Sequence, residues 1–117
     1  MSIAGITAAQ SGLMAQTRRL QASAHNTANL NTNDFRALRV SLRESSNPGS
    51  GVETSVSVSE TPGPALLDES GLLMTERGSN VDLVDEAVTR LTASRAYEAN
   101  LVSLQAQSDI SRSLLDL

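Results

Sequence analysis

Cysteine is absent from the 117 residues, which excludes disulfides, thiolate nucleophiles and cysteine-based metal sites. Tryptophan is absent as well, leaving one Phe (Phe35) and one Tyr (Tyr97). A chain of this size buries a modest fraction of its unfolded surface even with a full set of large rings. The composition therefore predicts a marginal monomer that gains stability by association. Lysine is missing too, so all nine basic groups are Arg. Arg suits planar, multi-donor contacts at interfaces, although GC-rich coding gives the same bias. The net charge of -4 argues against nucleic acid, whose phosphates call for a basic footprint. No apolar run reaches membrane-spanning length. The stretch after Met1 has no basic residue ahead of a sustained apolar segment, so no cleaved secretory signal is expected.

Chemistry-bearing constellations are equally scarce. His25 is the only His, so a metal site around it would need carboxylates alone, and beside a helix end an imidazolium also complements the dipole. Asp82, Asp85 and Glu86 fit the start of a helix better than a cation loop, which needs six or more oxygens. No Ser lies in a G-x-S-x-G context, and no Gly-rich phosphate loop occurs. The expectation is a non-enzymatic chain with no catalytic residue, metal, cofactor or small-molecule substrate.

What the sequence does have is two long helical segments at its ends. From Asn80 to Leu117 no Pro or Gly intervenes, and Val84, Ala87, Leu91, Ser94, Tyr97, Leu101 and Leu104 mark a stripe at spacings of three and four. Several stripe positions are Ser, and a second row runs beside it through Val88, Val102, Ala106 and Ile110. Two adjoining strips suit a helix with several neighbours. At the other end, Ile3, Ile6, Ala9, Leu13, Leu20 and Ala24 predict a helix from Ile3 to Leu30, with Ser2 as its cap. Gly5 and Gly12, a heptad apart, suggest close approach of a neighbouring helix. Asn26, Asn29, Asn31 and Asn33 mark its end, because Asn amides compete for backbone hydrogen bonds.

Between the helices, Arg36–Glu44 and Val52–Val58 alternate apolar and polar residues around the turn segment SSNPGSG, which predicts a hairpin with Arg39 or Arg43 near Glu53. Pro62, Gly63 and Pro64 break the chain, after which a further short apolar patch is expected to add a third strand. The fold class predicted is mainly α: two long terminal helices packed as an antiparallel coiled-coil-like pair, with a small β-hairpin or three-stranded insertion. The divisions are residues 1–33, 34–78 and 79–117.

Two stretches resemble a known family. AHNTANLNTNDFR, from Ala24 to Arg36, is similar to the Asn-rich N-terminal motif of bacterial flagellar axial proteins, usually NN-I-AN-x-NT-x-G-F-K/R. His25, Thr27 and Asp34 depart from it, the last standing where the motif has Gly. NVDLVDEA, from Asn80 to Ala87, resembles the start of the last helix of that family, and SRAYEAN, from Ser94 to Asn100, resembles a stretch of its proximal-rod subunits. The resemblance implies a structural subunit of the basal-body rod, exported through the flagellar type III apparatus. Its implied partners are further copies, other rod subunits and the inner-membrane ring adaptor. It further implies a subunit interface in which Leu13, Leu20, Leu91, Leu101 and Leu104 form the inter-helix seam. Arg95, Tyr97 and Glu98 would join neighbours, and Asn26, Asn29 and Asn31 belong to the same set. The competing expectation is a soluble helical adaptor or export-related binding module carrying similar termini.

Overall fold

A computed structural model describes residues 3–117. The element order is α1 (Ile3–Ala28), β1 (Leu38–Glu44), β2 (Val52–Val58), β3 (Ala65–Leu67), β4 (Leu73–Arg77) and α2 (Leu83–Leu115). The capping role expected of Ser2 lies outside the described residues. α2 starts where its sequence says it should, with Asp82 Oδ1 accepting from Val84 N at 2.9 Å and Asp85 N at 3.4 Å.

The mainly-α expectation is corrected by these elements. About 51% of the chain is helix and 19% strand, in an α+β fold whose strands form two separate two-stranded sheets. The expected three-stranded cap does not form. β1 pairs with β2 in antiparallel register from Leu38 opposite Val58 to Glu44 opposite Val52. β3 pairs instead with β4, Ala65 opposite Arg77 and Leu67 opposite Leu73. Pro62 and Pro64 carry no backbone N–H to donate to a ladder, so the chain leaves the first sheet there. The second hairpin then closes on its own turn, where Asp68 Oδ1 accepts from Ser70 N, Ser70 Oγ and Leu72 N.

The first hairpin is a layer of the structure, lying along α1. Leu38, Val40 and Leu42 are half-buried on one face, while Arg39, Ser41 and Arg43 point to water. At the far end Ser11 Oγ accepts from Val52 N at 3.0 Å and donates to Ala8 O at 2.7 Å. Gly51, at φ +81°, sits so close over Ala8 and Ser11 that a Cβ would collide with the Ser11 hydroxyl.

The two helices run antiparallel in constant register. Gly5 faces Gln107, Gly12 faces Asn100, and Asn26 meets Glu86. A step of seven residues on α1 is thus matched by seven on α2. Small side chains permit the approach: a Cβ on Gly12 would come 2.8 Å from the Asn100 amide. Among the described residues every buried hydrophobic side chain is an alanine: Ala9, Ala15, Ala22, Ala37 and Ala93. A buried methyl contributes about 0.8 kcal/mol, whereas a fully buried Leu or Val contributes about 1.5–3 kcal/mol. The core is accordingly thin, and the molecule is a rod of 79 × 25 × 14 Å. Its radius of gyration is 20.0 Å, against about 13 Å for a compact domain of this length.

Gly51→Ala is expected to destabilise the chain by about 1–3 kcal/mol, from the positive φ and the collision with Ser11. Urea denaturation measures this, and a change within about 0.5 kcal/mol would show that the hairpin does not rest on α1. A second expectation concerns Glu53, whose carboxyl is held below its ordinary 4.5 by hydrogen bonds from Arg43 and Ser45. The pair favours the folded state above that range and its contribution disappears as pH falls through the depressed midpoint. Arg43→Gln should raise the Glu53 midpoint toward 4.5 in a carboxyl NMR titration.

Candidate subunit interface

The Asn-rich stretch and the start of α2 come together in a polar joint at one end of the helix pair. Asn26 is 2% exposed. Its Nδ2 donates to Leu38 O and to Glu86 Oε1, each at 2.9 Å, and its Oδ1 accepts from Leu38 N at 2.8 Å. Ser23 Oγ adds a bond to Glu86 O at 3.2 Å. One amide therefore ties α1 to β1 and to α2. Asn80 performs the same office for the loops: its Oδ1 accepts from Ala37 N at 2.6 Å and its Nδ2 donates to Thr61 O at 2.8 Å.

Asp34 completes the joint. It takes the left-handed conformation, φ 59°, that a Gly would adopt without strain. Asp34 N donates to Arg77 O at 2.7 Å and Arg77 N returns a bond to Asp34 Oδ1 at 2.9 Å, so the carboxylate supports the turn it occupies. Phe35 lies half-buried against the edge of His25, ring centroids 5.5 Å apart. Beside the joint, a cleft of about 250 Å³ is lined by Arg19, Arg39, Asp82, Asp85 and Glu86. Among the described residues no cluster of His, Asp and Glu is disposed to hold a metal ion. Among the described residues no helix is long and apolar enough to cross a membrane.

The residues expected at an interface fall into three places. Asn26 is internal, with its amide consumed within the chain. Asn29 and Asn31 form the turn after α1, where Asn29 Nδ2 donates to His25 O at 2.9 Å and Asn31 is exposed. Leu13 and Leu20 on α1, with Tyr97 and Leu104 on α2, are half-buried, and Leu101 is 39% exposed. Leu91, Arg95 and Glu98 point outward. The only ion pair among the described residues is Arg43–Glu53, so neither Arg95 nor Glu98 is neutralised within the chain.

α2 thus has two unlike sides. Toward α1 it presents Glu86, Ala93, Asn100 and Gln107. On the opposite side stand Val84, Val88 and Leu91, at spacings of four and three, and Val102 about three turns further on, exposed by 59–71%. Ile110 continues the row at 54%. Of the two rows of apolar positions found in the sequence, the first borders the intramolecular seam through half-buried Tyr97 and Leu104, while the buried α2 positions of the seam, Glu86 and Ala93, belong to neither. Sequence reasoning also missed Asn80, Glu86, Ser23 and Asp34 as the joint. The available signal was the pairing of Gly5 and Gly12 with small and polar residues at the matching heptad interval of α2.

Comparison with known proteins places the chain in a family. Residues 75–117, which span the joint's second half and all of α2, match the family described as Flagellar basal body rod FlgEFG protein C-terminal. The flagellar basal-body rod protein FlgC of Yersinia enterocolitica is 31% identical over 126 aligned positions, covering 93% of this chain and 92% of the relative. The chain belongs to the flagellar basal-body rod protein family. As a rod protein it has a structural role in the flagellar basal body, in an assembly with other rod components that serves motility. In this rod protein Asn26 of the Asn-rich motif is an intramolecular fastener.

Asn26→Ala would leave the Leu38 backbone groups and the Glu86 carboxylate without their partner, at an expected cost of about 2–3 kcal/mol in urea denaturation. Asn29→Ala, at a solvated turn, should cost under about 1 kcal/mol. Equal effects of the two substitutions would contradict the joint.

Proposed function

We propose that this rod protein builds the proximal rod by self-assembly through its two terminal helices, serving as a non-enzymatic element of the drive shaft. The observation that carries this reading is the outward row of α2, Val84, Val88, Leu91, Val102 and Ile110, left 54–71% exposed by the described residues. Arg95 and Glu98 interrupt that row as polar partners for a neighbour, in keeping with interfaces that fix register by charge. Leu13, Leu20, Tyr97, Leu101 and Leu104, along the flanks of the helix pair, complete the lateral contacts.

Surface area supports the same reading. The chain exposes 8007 Å², while a compact protein of 12.3 kDa exposes about 6,100 Å². The surplus of about 1,900 Å² equals two partner-sized patches of about 800–1,000 Å² each. Two different patches on one subunit make heterologous contacts, which propagate into a helical assembly unless they close into a ring. Delivery through the flagellar type III apparatus and contact with the inner-membrane ring adaptor belong to this proposal. A thin, alanine-lined core suits a chain that passes through a narrow channel before it folds.

Leu91→Asp tests it. Leu91 is 60% exposed, so far-UV circular dichroism of the isolated chain should be nearly unchanged. Sedimentation should show loss of association with itself and with other rod subunits, because an interface would now bury an unpaired carboxylate at a cost of several kcal/mol. Cells carrying the variant should fail to swim, and normal swimming would mean that this row faces water in the rod.

A further inference from the structure

Among the described residues no helix or strand outside it packs on the β3–β4 hairpin. Neither strand comes near a helix or the first sheet, and β4 is exposed along its whole length. Its attachments are all at its base: Asp34 with Arg77, Asn33 Nδ2 with Glu76 Oε2 at 3.0 Å, and Gly78 N with Pro64 O at 2.8 Å. A two-stranded hairpin is marginal by itself. This one nevertheless exposes Leu67 (61%), Leu72 (66%), Leu73 (73%) and Met74 (40%), beside Asp68, Glu69 and Glu76.

A matching surface exists elsewhere on the molecule. Arg18, Gln21, Ala22, Leu38 and Val56 line a groove of about 330 Å³ between α1 and the first sheet. Half-exposed Val58 and the exposed Met14, one helical turn before Arg18, extend its apolar floor. α1 carries Arg18, Arg19 and His25 and no acidic residue, so the charge of the groove is opposite to that of the hairpin. The hairpin is rooted at the joint, where α1 ends and α2 begins. α2 accounts for about 50 Å of the rod, and the total length is 79 Å. The remainder lies mostly beyond the joint and reaches away from the chain's own groove.

We infer that the β3–β4 hairpin of one copy seats in the α1–β2 groove of the next, the paired Leu67 and Leu73 on Val56, Val58 and Met14 and the turn carboxylates Asp68 and Glu69 toward Arg18. This rests on the self-assembly reading and adds a second contact to the helix faces. Donor and acceptor surfaces lie at different places on the subunit, so the contact is heterologous and directional.

The absence of cysteine makes the test direct. Full-length Leu73→Cys chain is mixed with full-length Val56→Cys chain at an associating concentration and oxidised, with Ser57→Cys, on the opposite face of the same strand, as the control. A mixed disulfide should form roughly tenfold more with Val56→Cys than with Ser57→Cys, because only the former brings the two Cβ atoms to bonding distance. Adding Arg18→Glu to the Val56→Cys chain should lower the yield several-fold, and adding Glu69→Arg to the Leu73→Cys chain should restore it. Equal yields with the two positions would overturn the docking. Oligomers in sedimentation together with equal yields would overturn the docking and leave self-assembly standing. A wild-type chain that stays monomeric at every concentration would overturn both.

Discussion

One buried amide sets the geometry on which everything else depends. Asn26 donates to and accepts from the Leu38 backbone and donates to Glu86, so the end of α1, the start of β1 and the first turn of α2 meet at a single point. A polar group buried at 2% exposure is tolerated only when its bonding capacity is met. That demand gives the joint one arrangement and fixes the register of the helix pair along its whole length. Gly12 facing Asn100, and Gly5 facing Gln107, follow from it by heptad steps.

A seam fixed by polar bonds and small side chains needs no large apolar residues. Ala9, Ala15, Ala22 and Ala93 fill it, and Val84, Val88, Leu91, Val102 and Ile110 remain outside. This inverts the usual order in which the largest hydrophobic side chains are the most buried. On the self-assembly proposed above, the monomer holds together enough to define a shape, and most of its hydrophobic free energy would be released only when neighbours cover the outer row. Stability and assembly are then one process, and dilution weakens both.

The two helices were legible because the absence of Pro and Gly after Asn80 and the recurrence of Leu13 and Leu20 on one face are local signals. The hairpin from Leu38 to Val58 was legible for the same reason, through alternation. The fold class was misread because Leu72, Leu73 and Met74 gave no indication of which strand they would join. Strand pairing depends on where Pro62 and Pro64 send the chain, and that is a long-range outcome. The intramolecular seam was obscured because apolar rows draw attention to themselves, whereas the residues that meet α1 are Glu86, Ala93, Asn100 and Gln107. Asp34 shows the converse. It departs from the family's Gly yet keeps the turn, since its own carboxylate receives the Arg77 amide.

The central claim is that the large apolar side chains of this chain are reserved for other subunits. The thermal unfolding midpoint, followed by circular dichroism over about a hundredfold range of protein concentration, tests it most directly. The account predicts a midpoint that climbs steadily as concentration rises. A midpoint that stays the same across the range, with full helicity at the lowest concentration, would contradict it.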